Sequence, residues 1–220
     1  MRAREAHLVK RLPDARSREV VLVSHCLLNE NARYLGGAFH SGPAVPEALE
    51  LLKTGIGIHQ MPCPERCAWG GVLKSYMLSA YGLDDSPLRR VRWPLYWAFR
   101  QWTKLRYRLL ARRIARDIAD YQRAGIAVRA VIGVGASPSC GVHTTLDMRR
   151  SFAAAASCPL ATITPDMVNG RVVRDCRVAG EGLFIRALKR QLQRRNLHVP
   201  FAEHDLIAEM DGRPQPLGRK

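Results

Sequence analysis

No uninterrupted apolar run in the 220 residues is long enough to span a bilayer, which excludes a transmembrane helix. The first 18 residues are charged and lack the apolar centre of a secretory signal, so the expectation is a soluble cytoplasmic protein with no membrane partner. CxxC pairs are absent, and cysteines spread from 26 to 140 at strand ends are unlike the paired knuckles of structural zinc sites. Gly133 and Gly135 lack the third glycine and the ribose-binding acid of a dinucleotide fingerprint. Internal repeats and low-complexity tracts are missing too. Acidic residues are scarce: 19 Asp and Glu face 35 Lys and Arg, a net charge of +16. Much of the excess lies within residues 89–129 and 186–195. Such a surface attracts polyanions without specifying which, so RNA contact and plain solvated helix faces both stay open.

What is present suits one domain. Apolar residues make up 47%, enough for a full core at this length. Residues 1–18 read as a loose N-terminal arm, 19–205 as the folded domain and 206–220 as a polar tail. Short β-branched runs predict strands at 20–25, 55–61 and 126–134, with weaker ones at 159–164 and 197–202. Between them, Pro46 opens a helix through Lys53. Residues 63–81 read as loop. Residues 93–124 form a long helix, with Trp97, Leu105, Leu109, Ile114 and Ile118 as its apolar stripe and arginines elsewhere. Residues 142–157 are irregular or partly helical, and 180–195 are helical. Strands alternating with helices imply an α/β fold: a single three-layer domain with a mostly parallel sheet.

Six cysteines in a chain that is neither small nor visibly secreted point to ligand or core thiols over disulfides. Three of them follow predicted strands: Cys26 after Val20-Val21-Leu22-Val23, Cys63 after Gly55-Ile56-Gly57-Ile58, and Cys140 after Ala130-Val131-Ile132-Gly133-Val134-Gly135. In an open parallel sheet the C-terminal edge of the strands is where ligands bind. Three thiolates converging there point to a metal or iron–sulfur site with one open position. The prolines of Pro62-Cys63-Pro64-Glu65 hold their cysteine in a rigid turn, and Glu65 lies within reach of whatever that cysteine binds. In Ser137-Pro138-Ser139-Cys140-Gly141, small residues let backbone amides approach a sulfur, and Gly141 permits unusual dihedrals.

Ser24-His25-Cys26-Leu27, Cys63-Pro64-Glu65 and Ser137-Pro138-Ser139-Cys140-Gly141, in this order, resemble the motifs of the thiouracil desulfidase (TudS) family. The resemblance spans roughly residues 19 to 205, including Gly180-Glu181-Gly182-Leu183-Phe184-Ile185 and Val199-Pro200-Phe201. His25 and Asn29 look more like the family's less characterised branch. The resemblance implies a 4Fe–4S cluster held by Cys26, Cys63 and Cys140. Its fourth iron, without a protein ligand, takes sulfur from a thiolated pyrimidine or related small thioamide. Glu65 is then the proton shuttle, Ser137 or Ser139 holds substrate or water, and His25 donates a hydrogen bond to cluster sulfide or substrate.

Other readings are kept beside it. The same chemistry on thiouridine in RNA is one. A non-enzymatic iron–sulfur redox sensor or sulfur carrier is another, favoured if Cys67 is a fourth ligand; a plain zinc-structural domain is the last. Cys158 and Cys176 read as core or surface thiols. Asn29, Asn31 and Arg33 are candidates for the loop over the site, His143, Thr144 and Thr145 for its closure, and Trp69 and Tyr76 for stacking on a base.

Overall fold

The β-branched runs become strands because branched side chains pack well on a pleated surface. The computed structural model describes residues 3–42 and 55–213. Its strands are β1 (Glu19–Ser24), β2 (Gly57–Met61), β3 (Ala127–Val134), β4 (Thr144–Leu146), β5 (Arg177–Ala179) and β6 (Phe201–His204). Strands β1, β2, β3 and β6 form an all-parallel sheet in the order β2-β1-β3-β6, while β4 and β5 pair antiparallel in a separate ribbon. In the sheet, Val23 of β1 sits between Gln60 of β2 and Ile132 of β3. The chain leaves β1 to one side for β2 and to the other for β3, so the crevice beyond their C-terminal ends is the topological switch point.

Helices flank the sheet, giving a single α/β domain: α1 (Ala3–Arg11), α2 (His25–Leu28), α3 (Pro64–Ala68), α4 (Arg92–Arg123), α5 (Met148–Ala156), α6 (Leu183–Gln193) and α7 (Leu206–Met210) are the ones used below. Long α4 packs along α6. Tyr107, Ile114 and Ile118 of α4 are buried with Phe184, Ile185 and Leu188 of α6 and with Leu22, Val23 and Val131 of the sheet. Each such side chain stabilises the fold by about 1.5–3 kcal/mol relative to exposure. Tyr107 and Phe184 meet edge-on, 6.4 Å between ring centres.

Several expectations need correction. Trp97, Leu105 and Leu109 are exposed, and only Ile114 and Ile118 of the expected stripe are buried. Leu105 and Ile114 are nine residues apart, and at 3.6 residues per turn that is about half a revolution. Residues 63–81 are not a plain loop, since α3 and a further short helix, Ser75–Leu78, lie within them. Residues 159–164 form turns, not a strand. The last strand begins at Phe201, later than expected. The N-terminal arm carries α1, and the tail carries α7, whose Leu206 and Ala208 are buried, so the domain continues past residue 205. The helix expected at 46–53 lies outside the described residues.

Candidate metal centre and catalytic cleft

A cleft of ≈ 780 Å³, its mouth included, opens at the C-terminal ends of β1, β2 and β3. His25, Cys26, Cys63, Glu65, Ser137, Ser139 and Cys140 all line it, along with Arg33, Tyr34, Trp69, Lys74 and Met77. Each cysteine arrives by a different device. Cys26 lies in α2, which starts directly where β1 ends. Cys63 is the N-cap of α3: its sulfur accepts the Arg66 backbone N–H at 3.4 Å, and Pro64 takes the first helical position, where no N–H is needed. Cys140 sits in the loop after β3.

That loop is held from three sides. Ser137 Oγ accepts the Cys140 N–H at 3.0 Å, and Thr145 Oγ1 donates to the Ser137 carbonyl at 3.1 Å. Helix α6 has no side-chain cap. Its opening N–H groups instead bind the loop: Leu183 donates to the Pro138 carbonyl, Phe184 and Ile185 to that of Ser139. The Glu203 carboxylate on β6 accepts the N–H groups of Val142, His143 and Thr144 at 2.6, 2.6 and 3.1 Å. Gly141 is required here for closeness, not for a left-handed backbone. A Cβ on it would stand 2.0 Å from the Thr144 carbonyl oxygen. The left-handed residue of the turn is Ala136, at φ 53°.

Glu65, in the first turn of α3, is fully engaged. Ser139 Oγ donates to its Oε1 at 2.8 Å, and Ser137 Oγ lies 3.5 Å from the same oxygen. Lys74 pairs with its other oxygen. Lys74 is buried and adopts φ 54°, ψ 45°, a left-handed conformation that costs an ordinary residue roughly 1–2 kcal/mol. Burial disfavours its charge, but the neighbouring Glu65 carboxylate, with Cys63 and Cys26 adding to it, holds its pKa above the ordinary value. No motif in the sequence marks Lys74.

Burial pushes the Cys63 thiol up to about 12, with Glu65 adding to the shift, and it raises Cys26 and Cys140 as well. Three neutral thiols are therefore the metal-free state at pH 7, and binding of a cation must release their protons. All six cysteines are free thiols. Among the described residues no three cysteine sulfurs lie within 4.8 Å of one another. Around a single tetrahedral zinc they would stand about 3.8 Å apart, given bonds of about 2.3 Å.

The remaining candidates divide. Arg33 and Trp69 line the cleft. Cys67, one turn along α3, does not, and neither do Asn29, Asn31, Tyr76, His143, Thr144 or Thr145. Asn29 caps the turn Glu30–Ala32 by accepting the Asn31 N–H, and Thr144 binds Glu203. Cys158 and Cys176 are buried, bonded to the carbonyls of Ala154 and Arg171. His25 is half-buried; burial and then the Arg66 charge lower its pKa, favouring the neutral ring at pH 7.

Behind the cleft lies a buried ionic network that the sequence did not announce. Arg33 reaches Glu209 of α7 through two bonds, at 2.7 and 2.9 Å, and His204 Nε2 lies 2.7 Å from the same carboxylate. Glu30, His40 and Glu209 bring potential ligand atoms together, but the Arg33 guanidinium already sits against both carboxylates.

No protein-family model matches the chain, and neither a curated protein nor a solved structure does.

Proposed function

We propose that the chain is an iron–sulfur-dependent desulfidase acting on a thiolated pyrimidine or a related small thioamide. One observation carries the reading: three thiols from three strand ends share a cleft with a carboxylate held by a buried lysine and two serines. What supports the reading is the donor type: three unpaired thiols that line one cleft. Cys26, Cys63 and Cys140 would hold a 4Fe–4S cluster. When bound, that group supplies a thiophilic, Lewis-acidic iron with an open position.

Hydrolysis of C=S needs no redox partner. Water adds to the carbon and its oxygen stays as C=O. The sulfur leaves with both water protons, as hydrogen sulfide. Glu65 takes the first proton from the attacking water, with Lys74 held against its other carboxylate oxygen. The Ser139 hydroxyl, bonded to Glu65, orients that carboxylate and offers a path for returning the proton. Trp69, Tyr34 and Met77 give the cleft apolar walls suited to a flat ring.

The test is anaerobic reconstitution with iron and sulfide, recording iron content, spectra and turnover of 2-thiouracil and 4-thiouridine together. Serine at position 26, 63 or 140 is expected to cut iron content sharply, and serine at 67 to leave it intact. Equal loss from all four would promote the sensor reading. A cluster-replete protein inert on every thioamide would end the enzyme reading. RNA thiouridine rests on the net charge alone and enters the same assay as an alternative substrate.

A further inference from the structure

Helix α4 buries only one side. Tyr107, Ala111, Ile114, Ala115 and Ile118 turn to the core. The opposite side carries Leu95, Ala98, Trp102, Leu105 and Leu109, in line with Val91 at the N-cap, all exposed. Their spacing alternates four and three, which lays them in one straight stripe along the outward face. At 1.5 Å per residue the stripe is ~27 Å long. It continues as charge. Arg112, Arg113 and Arg116 occupy the outward positions that follow, and Arg106 and Arg108 flank the apolar part. The helix has no acidic residue before Asp117. Among the described residues no carboxylate pairs with any of these five arginines, whereas Arg92 has Asp84 and Arg123 has Asp120.

A second copy of the chain is a poor occupant. The positions flanking the stripe, where paired helices place opposite charges, hold Arg92, Arg106, Arg108 and Arg113 and no acid. RNA suits the arginines, but bases stack on aromatic faces, and the stripe is aliphatic apart from Trp102. An anionic bilayer satisfies both halves. Leucines enter the boundary between headgroups and acyl chains, an indole prefers that boundary, and guanidinium groups pair with lipid phosphate. Arg106 already lies over the Trp102 ring, 5.4 Å from its centre.

We propose that the outward face of α4 docks the protein on the surface of an anionic phospholipid bilayer. Leu95, Trp102, Leu105 and Leu109 enter the interface, and Arg106, Arg112, Arg113 and Arg116 bind lipid phosphates. No helix of the described residues is long and apolar enough to cross a membrane, so the contact is peripheral. The proposal is independent of the chemistry in the cleft.

Vesicle flotation tests it. The protein is mixed with phosphatidylcholine vesicles, or with vesicles of equal parts phosphatidylcholine and phosphatidylglycerol. It is expected to float with the mixed vesicles only, and less so as salt rises. Arg112→Gln with Arg113→Gln should weaken binding about fivefold for each charge removed. Leu105→Gln with Leu109→Gln should weaken it at least tenfold with an unchanged melting temperature, because both side chains are exposed. No flotation with mixed vesicles overturns the proposal, and so does full binding by the leucine variant. It is also overturned if these variants lose binding to a single-stranded RNA oligonucleotide while the vesicles bind none of the proteins. A dimer in light scattering that Leu105→Gln with Leu109→Gln dissolves would assign the face to a second copy instead.

Discussion

The Lys74 ammonium lies 2.7 Å from the Glu65 carboxylate, and its side chain is 3% exposed. Two charges out of water hold each other in place, and removing one leaves the other stranded. Lys74→Met is therefore expected to destabilise the protein by about 3–5 kcal/mol. The double variant Lys74→Met with Glu65→Gln should recover most of that loss. A denaturant-melt double-mutant cycle measures it, and simple additivity would dissolve the pairing argument.

Glu65→Gln strands Lys74 and is expected to lower the melting temperature, so its chemistry is read on the folded, reconstituted protein. The variant is expected to keep its iron and absorbance after reconstitution while thioamide turnover drops roughly 10²-fold or more. Wild-type turnover in a cluster-replete variant would move the proton transfer to Ser137, Ser139 or His25.

Gly141→Ala places a methyl 2.0 Å from the Thr144 carbonyl oxygen. Backbone cannot step aside as a flexible side chain would, so the Cys140 loop must shift. The expectation is a lowered melting temperature together with loss of iron retention. Retention equal to wild type would show that the loop tolerates the displacement.

Glu209 gives the fold an acid limit. Burial alone would raise its carboxyl above the ordinary 4.5, but bonds from His204 and Arg33 outweigh that and hold it at about 2. A depressed native pKa stabilises the fold above the unfolded value, and that contribution disappears as pH falls through the native one. Denaturant midpoints should accordingly decline from pH 4.5 towards pH 2. Glu209→Gln should be less stable at neutral pH and lose this part of the acid slope. An identical slope in the variant would assign the acid sensitivity to other carboxylates.

The two sides of α4 predict opposite outcomes for alanine. Ile114→Ala, fully buried, is expected to cost about 2–5 kcal/mol, whereas Leu109→Ala, 48% exposed, should stay within roughly 0.5 kcal/mol. Comparable losses at both positions would mean that α4 packs differently.

Strands β1, β2 and β3 were legible because short β-branched runs ended by glycine or proline have few other uses, whereas the run at 159–164 forms turns and the short ribbon strands β4 and β5 carry no such run. The shared edge for Cys26, Cys63 and Cys140 followed from parallel pairing alone. Lys74 was not legible: its left-handed backbone and its burial come from tertiary packing around Glu65, and nothing near it in the chain marks either. Glu203 and Glu209 were hidden for a related reason. Each serves residues about 60 to 180 positions earlier in the chain. The α4 stripe failed because it mixed two faces half a revolution apart, and apolar content alone does not say which face meets the core.

The hold of α6 on the Cys140 loop sets an order of events during synthesis. Leu183, Phe184 and Ile185 supply the N–H groups that fix Pro138 and Ser139. A nascent chain that has released all three strand-end cysteines still lacks the segment that locks the third. Completion of the cleft is thereby tied to near-completion of the polypeptide. A truncated or stalled product exposes loose thiols and offers no finished cleft, so the third cysteine is set in place only once nearly the whole domain has been made.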